Sequence, residues 1–465
     1  MLRKNIDSKY WNECSKHDRL WREPGRTLIS FLAFIALFPF ALAAQDTGST
    51  STCQACVFGG GIQMPLLFAG ESGPVNLLSL SAGISAVYDD NVLDSSSPRA
   101  SDEALSFDSH VGIRRRSKRS VVSFDYTPFF MLYRQISQFD RVNHSAGMNF
   151  SYKLTRRVSL ALHDNVSYQN GVYPSLTNQE ILAGPAAPIS LDQIVVPYTT
   201  RTLVNTPGLD LAFAKTRRTS MTLTGVYSQL KFGHKVAGEP LYNSSGLNGG
   251  LTIQYSLTRR TSLGMSLSHQ DTTYQGGQVF GNRLRSQIES AFLTLASTLS
   301  PSVSVSVSGG PQYVRTIDAT SAAGRIPAIL LAAGGGGIRK EVRKTALEAT
   351  FYRSSNTSGG VYTTAISTTA SFSVRRRLMG RWEVGSQVGL ARDDTSIFQL
   401  KNGRTDGLSA GADITRPVGR GSVFHISYFN MHQMSSGALP ISYNFSRDQV
   451  SVGFDYQFKA LPLGR

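Results

Sequence analysis

Cysteine and tryptophan are nearly absent from this 465-residue chain, with three of each. Three cysteines cannot staple a fold of this size, so a disulfide-built scaffold is excluded. Cys14 precedes an apolar N-terminal run. Cys53 and Cys56 form a lone Cys-Gln-Ala-Cys in a Gly/Ser/Thr-rich stretch. A zinc site would need further ligands, and none lies nearby. A redox site would need a thioredoxin-like surround, which is missing. A local disulfide between Cys53 and Cys56 is the preferred reading.

Long apolar runs are missing too. Phe31 to Ala43 is shorter than a comfortable membrane span and contains Pro39, and Ile326 to Gly337 is short and ends in glycines. No segment after this N-terminal run reads as a transmembrane helix. Acids are scarce: 31 Asp and Glu stand against 47 Lys and Arg, a net charge of +16. The Arg clusters are short and separated by strands, without the interleaved aromatics of a nucleic-acid face, so nucleic acid is not an expected partner. The histidines are scattered without metal-ligand spacing, and no nucleophile elbow stands out. No metal, no cofactor and no enzymatic activity are expected.

What is present is alternation. Hydrophobic residues make up 41 % of the chain at a mean hydropathy of -0.13, so they are dispersed. In Leu78 to Tyr88 the even positions are Leu, Leu, Ala, Ile, Ala, Tyr and the odd ones Ser, Ser, Gly, Ser, Val. Ser145 to Leu154, Leu247 to Leu257 and Val450 to Phe458 repeat the pattern. Successive side chains of a strand point to opposite faces, so each stretch has one apolar and one polar face. Short turns punctuate these stretches. They include RRRSKRS from Arg114, LTRRVSL from Leu154, KTRRTSM from Lys215, LTRRTSL from Leu257, LSPSVSV from Leu299, IRKEVRK from Ile338, RRRLMGR from Arg375 and TRPVGRG from Thr415. Neighbouring copies lie about 37 to 42 residues apart, with one gap of about 61.

The stretches run about 9 to 13 residues, long enough to cross a bilayer when tilted, whereas soluble strands run about 5 to 6. Aromatics sit near strand ends on the apolar face (Tyr88, Tyr152, Tyr255, Trp382, Tyr428, Phe458), where interfacial girdles fall. A β-propeller shares the period, but its blades need four short strands and a recurring signature. The expected fold is all-β: a transmembrane antiparallel up-and-down β-barrel. Eight turns join sixteen strands, and one further strand at each end makes about eighteen, with sixteen as the alternative count. Asp164 and His144 fall on the apolar parity, where a bulge would reset it. Leu284 to Leu299 can be read in either register, since Phe292 and Leu293 compete.

Three regions follow. Residues 1–43 read as a signal peptide with cleavage after Ala43, a retained helix being the alternative. Residues 44–76 are a periplasmic leader carrying the Cys pair, and 77–465 the outer-membrane barrel. The polar faces offer lumen-lining candidates: Asp89, Asp108, His110, Asp125, Lys153, Gln254, Glu383, Asp413 and Asp455. They suit a wet wall passing a polar solute, with acids disfavouring anions. The connection from about Asn170 to Thr200 is the longest and the expected constriction. A structural barrel anchoring an envelope assembly is the other reading. Outer-membrane lipid is the expected partner of the apolar face.

The stretch GISAVYDDNVL (Gly83 to Leu93), with the repeated Thr-Arg-Arg turns, resembles the start of the beta-barrel porin 2 family of outer-membrane proteins. That resemblance covers about Leu77 to the end. It implies a large barrel, a polysaccharide exit pore and polysaccharide export components as partners. The closing strand resembles the aromatic-rich signal read by barrel-assembly machinery, although Lys459 to Arg465 follow Phe458.

Overall fold

The computed structural model describes residues 76–170, 201–233, 242–275, 283–318, 328–356, 364–394, 403–437 and 444–463. The expected signal peptide, leader and Cys pair, and most of the long Asn170 to Thr200 connection, lie outside them.

The first wall segments are β1 (Asn76–Asp89), β2 (Asp102–Arg116), β3 (Ser120–Tyr133), β4 (Arg141–Lys153), β5 (Val158–Asn170), β6 (Arg201–Asn205) and β7 (Gly208–Ala214). They continue as β8 (Thr219–Phe232), β9 (Asn243–Ser256), β10 (Thr261–Gln275), β11 (Arg283–Ser300), β12 (Val303–Asp318) and β13 (Ile329–Val342). The wall is completed by β14 (Thr345–Asn356), β15 (Ala365–Arg377), β16 (Glu383–Asp394), β17 (Arg404–Pro417), β18 (Ser422–Ser436) and β19 (Phe445–Gln457). A two-residue β20 (Leu461–Pro462) pairs with the start of β1. Each strand is antiparallel to the next, and β1 also pairs with β19 from Ser81↔Gln457 to Asp89↔Gln449, which closes the barrel. The β6 and β7 segments both bridge β5 and β8, and are one wall strand broken at Thr206–Pro207. The wall therefore has eighteen strands, and the eight turns fall where the sequence places them.

The Thr-Arg-Arg turns share one construction. The Thr155 Oγ1 accepts from the backbone N–H of Arg157 (3.1 Å) and Val158 (3.0 Å). Thr216 and Thr258 repeat this at the same distances. A hydroxyl that folds back on its own turn satisfies donors the ladder cannot reach.

Parity holds around the wall. On β1 the even positions Ile84 and Tyr88 are 44 % and 50 % exposed while Ser85 and Asp89 are 1 % and 0 % exposed. Leu223, Leu293, Val307, Phe351, Leu390 and Phe454 are more than half exposed on the outside. So large an apolar surface needs a non-aqueous neighbour. The contested β11 register settles with Leu293 outward at 61 % and Phe292 inward at 7 %.

The two parity exceptions are not bulges. The β4–β5 register runs unbroken from Asn143↔Gln169 to Lys153↔Ser159, so His144 and Asp164 face outward. His144 sits in an aromatic group, its Nδ1 sharing a 2.8 Å hydrogen bond with the Tyr126 hydroxyl and its ring within 6.3 Å of Phe130 and Tyr168. Such a site suits an amphipathic ring at an interface. Asp164 lies on the rung of Met148 and beside the Thr206–Pro207 break.

Candidate functional site in the barrel lumen

The inward-facing rows differ around the barrel. From β8 to β12 they are hydroxyls and amides: Thr222 and Thr224 flank outward Leu223, Thr252 and Gln254 flank Ile253, and Ser306 and Ser308 flank Val307. Gln254 Nε2 donates to Ser262 Oγ at 3.3 Å within this row.

The opposite wall, β15 to β19 and on through β1 to β3, carries charge. Asp108, Gly83 and Asp455 share one rung across β2, β1 and β19. Gly83 is the reason both carboxylates fit, because a Cβ there would collide with each. His425 Nδ1 donates to Asp455 at 2.8 Å, and His110 Nε2 donates to Asp125 at 3.1 Å beside Gly112. Arg375 donates to Glu383 at 2.8 Å and lies 3.7 Å from Asp413, whose carboxylate lies over Gly385. Inward glycines thus make room for charged side chains lying flat against the wall.

His425 also approaches Ser85 Oγ at 3.2 Å through Nε2. Ser85, His425 and Asp455 therefore have the connectivity of a nucleophile, base and acid. Ser85 is 1 % exposed, and the backbone around it is spent in ladders with both β2 and β19. No N–H pair is left there to hold an oxyanion. The chain of hydrogen bonds instead fastens β1, β18 and β19 across the closing seam.

Towards the long-loop end the lumen changes character. The loop after β1 folds inward: Val92 is fully buried and packs with Val87, Ala104, Phe129, Met131, Tyr133 and Phe139. Asp89 and Asp94 both pair with the Arg447 guanidinium, whose Nε lies 3.0 Å from Asp89 and whose Nη1 lies 3.3 Å from Asp94. Asn91 Nδ2 bridges the Ser95 and Ser446 carbonyls at 2.9 Å each. Asp102 accepts from the backbone N–H of Ile136 at 2.9 Å, tying in the β3–β4 loop. Burial pushes the Asp94 carboxyl up to about 6, against the opposing pull of Arg447.

A second intrusion comes from the far wall. Thr364, just before β15, reaches Ser286 on β11 at 3.0 Å, although β15 stands four strands along. At about 4.8 Å per strand the wall path is about 19 Å, so Thr364 leans into the lumen rather than following the wall. Gln312 on β12 holds the end of β14 by both ends of its amide, to Ser355 N at 2.7 Å and Ser355 O at 3.4 Å. Ile288, Val314 and Ile366 form an apolar cluster beneath. The polar faces read from sequence thus line only the turn-side half; inward apolar residues pack under folded segments at the other.

The candidates divide accordingly. Asp108, His110, Asp125 and Asp455 lie together, with Glu383 and Asp413 joined through Arg375. Gln254 lies across the lumen and Lys153 near the turns of β4, while Asp89 belongs to the buried cluster. Sequence reading missed Arg375, His425 and Arg447. Arg447 shares the inward parity of Ser451, Gly453 and Asp455 on β19, so beginning that strand three residues before Val450 would have found it.

The sequence matches no protein-family model and no curated protein. Among solved structures, it is similar to OccK2 (OpdF) of Pseudomonas aeruginosa at 8 % identity and TM-score 0.44, covering 83 % of this chain and 99 % of that one. OccAB4 of Acinetobacter baumannii matches at 7 % identity and TM-score 0.44, with the same coverage.

Proposed function

We propose that the chain is an outer-membrane channel that passes polar solutes through its lumen. The observation that carries this is the closed eighteen-strand wall with large apolar side chains outside and a hydroxyl-rich and charged surface inside. A barrel of this size is wide enough for an aqueous path where side chains and loops do not fill it. The acidic excess of the charged wall favours cationic or neutral solutes over anions. Carbohydrate is the finer reading, supported by the hydroxyl wall and by the GISAVYDDNVL resemblance. Single-channel recording of the purified, heat-modifiable barrel in planar bilayers tests the proposal. Discrete cation-preferring steps support it; a folded barrel that never conducts refutes it. That second result would favour an envelope anchor, a reading supported by the inward-folded segments.

A further inference from the structure

The two ends of the barrel differ in charge. The eight tight turns themselves contain thirteen Lys and Arg and no Asp or Glu. The described long-loop connections are mixed, as with Asp90, Asp94 and Arg99 in the first. Six of the turn cations are Arg156, Arg157, Arg217, Arg218, Arg259 and Arg260. All are exposed, and none pairs with an acid among the described residues. The Thr hydroxyls at 155, 216 and 258 are committed to the turn backbone, so the paired arginines are held at the apex.

The apolar surface runs up to these same turns. Leu154 and Leu257 are each 46 % exposed and immediately precede a Thr-Arg-Arg, and Leu299 is 63 % exposed at the fifth turn. The Trp382 ring lies 5.0 Å under the Arg416 guanidinium at the same end. Hydrocarbon therefore ends within two or three residues of the arginines, at the depth of lipid phosphate.

We propose that the arc of three consecutive Thr-Arg-Arg turns, from β4 to β10, is a docking surface for the phosphate groups of anionic phospholipid in the turn-side leaflet. Each turn supplies two unpaired guanidiniums that can hold phosphate oxygens in bidentate fashion. This rests on the membrane-barrel reading above, and a soluble polyanion is the competing ligand.

The test compares wild type with a variant carrying Arg→Gln at all six positions, the threonines kept so that the turns stay hydrogen-bonded. Folded protein is placed in phosphatidylcholine vesicles with and without phosphatidylglycerol, and co-purifying lipid is counted by native mass spectrometry. Wild type is expected to retain phosphatidylglycerol at least about fivefold over phosphatidylcholine, falling with salt, and the variant to drop below about twofold. Equal retention by both proteins, or no preference in wild type that inserts normally, overturns the proposal and leaves the barrel reading intact. Wild type that fails to insert into any vesicle overturns both. Tight, salt-sensitive binding of dextran sulfate without phosphatidylglycerol preference assigns the arc to a soluble polyanion instead.

Discussion

The two sides of the lumen are built from the same alternating strands and differ only in what the inward positions carry. On β8 to β12 these positions are small hydroxyls and amides that hydrogen-bond locally, as Gln254 does to Ser262. On β15 to β19 and β1 to β3 they are acids, histidines and arginines that reach across strands over inward glycines. One wall can lose a side chain with little consequence. The other links neighbours by ion pairs and hydrogen bonds, and removing His425 or Arg375 takes a partner from a largely buried carboxylate.

The largest expected effect tests that network at its most buried point. Arg447→Ala strips the counter-charge from Asp89 and Asp94, both nearly inaccessible, and should cost about 3 to 5 kcal/mol. It should lower the unfolding temperature and raise conductance as the loop after β1 comes free. Unchanged stability and conductance would show that the two walls are alike.

Next in size is the test of inside against outside on the hydroxyl wall. Ile253→Arg puts charge toward lipid and should cost about 2 to 4 kcal/mol of assembly, while Gln254→Arg should be tolerated. Heat-modifiability of the refolded variants reads the difference, and equal behaviour would remove the assignment of faces.

Third, Gly83→Ala inserts a Cβ where the Asp108 and Asp455 carboxylates lie. Overpacking of this kind costs about 1 to 3 kcal/mol. The change Gly250→Ala, inward on the hydroxyl wall, meets nothing closer than 3.5 Å and should be nearly silent. Denaturant midpoints of the two variants sharpen the contrast.

The smallest effect is on pH response. The Asp94 carboxyl is raised to about 6 with the loop inside, while a loop in water would titrate near 4. The closed loop binds the proton more tightly, so closure strengthens as pH falls from about 6 towards 4 and weakens as pH rises through 6. The closed fraction in single-channel records should grow on acidification in wild type. Asp94→Asn should flatten that dependence, and an unchanged slope in the variant would exclude Asp94 as its source.

Sequence by itself determined the strands, the faces and the turns. A period of two records burial on one side only, and that record survives wherever a wall separates two media. It held for Ile84 and Ser85, and the eight turns set the strand number. Parity also placed His144 and Asp164 outward, and no bulge resets it, since a charged or polar residue can remain on an apolar face when aromatics or a strand break receive it. What only the tertiary structure decided is which inward residues meet. Asp108 and Asp455 are 347 positions apart and share a rung only because β1 closes on β19. The same closure brings Arg447 to Asp89 and folds the Asp-Asp-Asn-Val-Leu-Asp segment into the lumen. Alternation fixes the direction of a side chain, but not its neighbours across the wall. Those follow from strand stagger and from where a loop finds apolar surface to cover, and both are properties of the closed barrel.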